Sequence, residues 1–133
     1  MKRSALGIVA GLVTWMVVAT LLNIVLRAAM DGYAIAEHYL VFTLPMMIAR
    51  LALAAVSSLA AGAVAGWVAQ WRTWVPWAVG ALILAFFLPA HVSIWPRLPV
   101  WYHLTFLVTL APLVALGAIL GQRMARARGA RPA

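Results

Sequence analysis

Polar and charged residues occupy short intervals along this chain. Between them lie four apolar stretches, over about 5–26, 44–70, 74–94 and 101–122. Each holds about 20 residues or more, enough at ~1.5 Å rise per residue to reach across a ~30 Å hydrocarbon layer. The pattern predicts an all-α fold: an integral membrane four-helix bundle, one domain of four spans, with a basic tail over 123–133. The first stretch follows a basic start, as a secretory signal does. Its ~22 apolar residues exceed the ~7–15 of a signal core, so it reads as an uncleaved first span.

Finer spacing predicts how the helices meet. Arg50, Ala54, Ser58, Gly62, Gly66 and Gln70 recur every fourth residue and form one slanted ridge on a helix. The ridge carries no bulky side chain and admits close approach of another helix. Gly7 with Gly11 and Gly117 with Gly121 repeat the spacing of Gly62 with Gly66. All three pairs lie toward the end of the bundle that holds the termini, which predicts a tight half there and a looser half opposite. Pro45 and Pro76 fall in first turns, where a missing N–H costs little. Pro89 interrupts the third stretch, which must either continue past it with a kink to reach span length or sit where the bilayer thins locally. Pro112 is expected to kink the fourth span by releasing the Val108 carbonyl, with Thr109 compensating nearby.

The connection over 27–43 contains a turn at Asp31-Gly32 and a short interfacial helix over 34–42, with Ile35, Tyr39 and Phe42 on its apolar face. Asn23 is expected to hydrogen-bond a neighbouring helix. Trp67, Trp71, Trp74 and Trp77 predict one interfacial belt, and Trp95, Trp101 and Tyr102 the other.

Composition agrees with membrane residence. The sequence is 67% hydrophobic and 9% charged, against about a quarter charged in a soluble domain. A net charge of +8 raises the possibility of nucleic acid, and its distribution argues against that. Lys2, Arg3, Arg72, Arg123, Arg126, Arg128 and Arg131 fall on one side of a four-span protein. Arg27, Arg50 and Arg97 fall on the other, beside both acids. This is the positive-inside bias; it predicts cytoplasmic N- and C-termini in a bacterial inner membrane, with anionic inner-leaflet lipids drawing in the tail. There is no soluble face to carry a groove reader. The absence of cysteine removes thiolate and disulfide chemistry.

Candidate chemistry gathers on the side away from the termini: Asp31, Glu37, His38, Arg50, His91 and His103 form the expected outer-face polar cluster. One reading is an outward-facing metal- or haem-binding redox module with His38, His91 and His103 as ligands and Glu37 in support. Another is a small permease for an anion or lipid headgroup, with Arg50 and Arg97 as recognition charges. Arg50 sits near the outer boundary, where it either snorkels or pairs with Glu37 or Asp31. No acid lies within a span, which argues against an exporter driven by a buried carboxylate. The leading expectation is a small non-enzymatic multi-pass protein that packs with other membrane helices, as a homo-oligomer or an accessory subunit. Its contact surfaces would be the ridge and the glycine pairs.

Overall fold

The computed structural model describes residues 1–129. Its helices are α1 (Lys2–Ala29), α2 (Tyr33–Tyr39), α3 (Leu44–Val68), α4 (Trp74–Ser93) and α5 (Val100–Gly129), with a 3₁₀ turn at Trp95–Arg97 before α5. No strand occurs among the described residues. Helices α1, α3, α4 and α5 are long and apolar enough to cross a membrane. They are apolar nearly all round, and their outer faces expose Leu6, Val13, Met16, Phe86 and Val108. A helix with no polar face is at home in a protein core or in lipid.

Breaks in the pattern act locally. Helix α3 begins with Pro45 in its first turn, and α4 and α5 run through Pro89 and Pro112 without ending. The Thr109 hydroxyl donates to the Thr105 carbonyl, so it does not replace the partner that Pro112 denies Val108. Helix α3 stops two residues before the apolar stretch does. Gln70 and Trp71 adopt left-handed backbone, φ 54° and 61°, and the Trp71 N–H closes onto the Gly66 carbonyl at 2.6 Å. A left-handed pair ends a helix; it also swings the Trp71 ring against Gly66 and Gly121. At the other end, the expected tail is helical as far as Gly129, including Arg123, Arg126 and Arg128. Extending an existing helix avoids the nucleation step, and alanine, arginine and methionine are good helix formers. Arg131 lies outside the described residues.

The four long helices form a ring in the order α1, α3, α5, α4. Helix α1 runs antiparallel to α3, with Gly7 against Ala69 and Gly11 against Ala65. Helices α3 and α5 are parallel neighbours despite their separation in sequence, because α4 carries the chain back between them. Their seam is reciprocal: a Cβ on Gly62 would overlap the Val114 carbonyl, and a Cβ on Gly117 would overlap that of Leu59. On α4, a Cβ at Gly80 would lie 2.7 Å from the Ala111 Cα of α5. Ser58 accepts a hydrogen bond from the Trp15 indole of α1 at 3.1 Å while donating to the Ala54 carbonyl at 2.7 Å. The ridge and the glycine pairs thus meet helices of this same chain. From Ala54 to Gly66 the ridge is buried in this internal packing, while Gln70 at its end is exposed.

Candidate functional site

The end of the bundle away from the termini is built differently. Helix α1 brings Asn23 and Arg27 in its last two turns. The chain then reverses at Gly32, whose φ of 75° suits a glycine, and α2 lies across the opening between helices. The buried side of α2 is Tyr33 and Ala36, seated on Met46 with Leu26, Met30 and Phe42 around them. Ile35 and Tyr39, the expected apolar face, point outward instead. Burying the Tyr33 face turns Glu37 inward, one helical turn further on.

Four elements converge on Glu37 and Arg50. Glu37 accepts hydrogen bonds from Asn23 at 3.0 Å and from Arg27 Nε at 2.7 Å, and Arg27 Nη2 approaches it to 2.6 Å. Arg50 of α3 donates from Nη1 to the Tyr33 hydroxyl at 2.9 Å and from Nε to the Tyr102 hydroxyl of α5 at 3.2 Å. The Tyr33 hydroxyl donates in turn to Asn23 Oδ1 at 2.9 Å. The guanidinium lies over the Phe42 ring, 4.7 Å from its centroid, and its nearest carboxylate oxygen is 3.7 Å away on Glu37. The arginine therefore does not snorkel away from the bundle; its side chain is 29% exposed.

Charge follows from these contacts. Burial alone would raise the Glu37 carboxyl, but the hydrogen bonds from Asn23 and Arg27 and the charges of Arg27 and Arg50 outweigh it. They hold it below the usual carboxylate range, so it stays ionised. Burial pushes the Tyr33 phenol up, against the opposing pull of Arg50, so it keeps its proton. Two guanidinium groups thus face one carboxylate, leaving one net positive charge. Arg27 takes the closer share of Glu37, while the hydrogen bonds of Arg50 go to neutral hydroxyls. Its Nη2 has no hydrogen-bond partner among the described residues.

A chamber of about 270 Å³ opens beside this network. Thr20, Asn23, Glu37, Arg50 and Tyr102 form its polar wall, and Trp15, Ala54, Phe87 and Phe106 line its apolar floor.

The histidines separate. His91 of α4 and His103 of α5 pair Nδ1 to Nδ1 at 2.8 Å, which requires one ring to donate and the other to accept. Phe106 stacks on His91 and Trp95 on His103, with centroids 4.5 and 4.7 Å apart. His103 is fully buried, and its Nε2 has no partner. His38 is exposed on α2 against Tyr39. The three-histidine ligand set is therefore not assembled, and among the described residues no three histidine or acidic side chains gather to hold a metal ion. Asp31 is exposed in its turn and Arg97 in the 3₁₀ turn, and neither joins an ion pair among the described residues. Ser93 bonds the Ala90 carbonyl and no histidine.

Two essential members, Tyr33 and Tyr102, were not foreseen. Tyr102 reads as part of an aromatic belt but is 3% exposed, its hydroxyl on Arg50. The available signal is a general one: a buried tyrosine needs a hydrogen-bond partner, and Arg50 is the unmatched donor nearby.

Comparison with family models, with curated proteins and with solved structures finds no match to this chain. Fold and site together define a bundle of four helices of membrane-crossing length, close-packed at the end holding the termini and opened at the other by a chamber walled by Arg50 and Glu37.

Proposed function

We propose that this is a non-enzymatic multi-pass protein of a bacterial inner membrane, with both termini cytoplasmic, and that it binds an anionic group at Arg50. The orientation is supported by the bias of lysine and arginine toward the termini and the 69–73 turn. The binding role is supported by one observation above the others: a half-buried guanidinium faces a chamber with an unused nitrogen and incomplete charge compensation. In a medium of low polarity such a charge draws an anion strongly. Arg97, the other recognition charge expected, is not part of this arrangement.

The test is thermal unfolding of the detergent-purified protein in rising inorganic phosphate, at ionic strength held constant with chloride. Phosphate is expected to raise the midpoint saturably in the wild type, weakly in Arg50→Lys and not at all in Arg50→Gln. Equal stabilisation of all three would remove Arg50 from the role. Reporter fusions test the orientation separately; an exported C-terminus would overturn it.

A further inference from the structure

An apolar groove adjoins the chamber. Between α1 and α4 it encloses about 490 Å³ and runs toward the end holding the termini, lined by Leu12, Met16, Leu82 and Phe86. Trp15, Ala19, Thr20 and Phe87 line both the groove and the chamber, so the two lie on either side of these residues. From Thr20 to Leu12 the groove extends ~12 Å along α1. Its walls remain open to the surroundings: Met16 is 66% and Phe86 76% exposed. Helices α1 and α4 run parallel here, with Gly11 against Val79 and Trp15 against Phe87.

We propose that the groove and chamber together hold one anionic phospholipid, its phosphate on Arg50 and one acyl chain between α1 and α4. This rests on the anion-binding reading above and names the ligand class. Charge complementarity selects the head: Arg27 and Arg50 share the single carboxylate of Glu37, and Thr20, Tyr102 and Asn23 add hydroxyl and amide groups to the chamber wall. Adjacency selects the tail. Arg50 lies ~9 Å down α3 from Leu44, so a lipid whose phosphate reaches it needs an apolar surface sideways for its chain, and the groove beyond Ala19 and Thr20 is the apolar surface that adjoins the chamber. A chain in lipid gains nothing from simply leaving water, so selectivity must come from the head. A zwitterionic headgroup brings no net charge to offset the excess of Arg27 and Arg50 over Glu37.

The experiment uses vesicles of phosphatidylcholine holding the full chain and a trace of photoactivatable lipid, diazirine-labelled in one acyl chain, as phosphatidylglycerol or as phosphatidylcholine. Labelled sites are mapped by mass spectrometry. With phosphatidylglycerol, labelling is expected to concentrate on the groove faces of α1 and α4 and exceed that with phosphatidylcholine about tenfold, the worth of one charge-assisted contact. Arg50→Gln should remove that excess, Arg50→Lys should retain part of it, and Met16→Trp should empty the groove of label. Equal labelling by both lipids, unaffected by Arg50→Gln, marks ordinary annular lipid and overturns the proposal. If phosphate still stabilises the wild type through Arg50 in that case, the anion site stands and only its lipid occupant is lost. If Arg50 affects neither measurement, both readings fail.

Discussion

The two ends of this bundle hold the same four helices together by opposite means. Near the termini the contact is backbone on backbone. Gly62 and Gly117 leave no room for a Cβ, and Gly7 and Gly11 bring α1 onto Ala69 and Ala65. Away from the termini the helices stand apart, and the space is crossed by long polar side chains: Arg50 to Tyr33 and Tyr102, Glu37 to Asn23 and Arg27. Close contact gains dispersion and weak Cα–H···O bonding at every turn, and the space left beside it, about 230 Å³ at Gly66, Trp71 and Ala118, has mostly apolar and aromatic walls. At the other end the chamber is walled by charged and hydroxyl groups. Backbone contact and polar bridging are thus assigned to different ends of the same four helices.

The sharpest way to break the contrast is to add bulk at the tight end. Gly62→Leu places a side chain where the Val114 carbonyl lies, and only a backbone shift can relieve the overlap. The expected loss is ~3 kcal/mol or more, read as a lowered unfolding midpoint in detergent. Gly129→Leu, with nothing within 4 Å of the new carbon, is the control and should change nothing.

Glu37→Gln tests the other end. It leaves Arg27 and Arg50 without their carboxylate and is expected to cost about 2 kcal/mol, with faster proteolysis of the 30–43 connection as the local sign. A loss as large as that of Gly62→Leu, without local opening, would mean the ends are not independent. Acid should mimic the variant. Because the folded Glu37 carboxyl sits below its unfolded value, its contribution is complete above about pH 4.3 and is lost as pH falls through the lower folded value. The wild-type midpoint should therefore drop in that acid window more steeply than that of Glu37→Gln. Equal slopes would assign the acid sensitivity elsewhere.

The smallest effect belongs to Ser58→Ala, at the boundary between the two regions. It strips the Trp15 indole of its acceptor and is expected to cost ~0.6 kcal/mol, the usual worth of one hydrogen bond between membrane helices. Pairing it with Arg50→Gln in a double-mutant cycle should give additive losses, since the two side chains share no hydrogen bond.

Much of the tight end was legible in the sequence. Small residues at every fourth position mark where helices approach, and glycine pairs mark how closely. Which helices meet was not legible: the same spacing serves an oligomer seam or an internal one, and here it is internal. At the open end, Glu37 and Arg50 stood out as charges in an apolar chain, and their pairing was among the expected alternatives. Tyr33 and Tyr102 did not stand out, because a tyrosine near an interface has the same signature whether its ring lies in a belt or its hydroxyl reaches inward. The histidines grouped by side of the membrane, yet only His91 and His103 meet. They lie on the neighbouring helices α4 and α5, whereas α2 turns His38 to the surroundings.

The sequence by itself determined the number of long helices, their approximate limits and the small faces on which they meet. Those follow from composition and period, which act over a few residues. Only the tertiary structure decided that α3 and α5 run side by side, that α2 turns Glu37 inward, and that Arg50 meets Tyr33 and Tyr102 at the wall of a chamber. Each depends on residues far apart in the chain, and no local pattern encodes which distant hydroxyl an arginine will find.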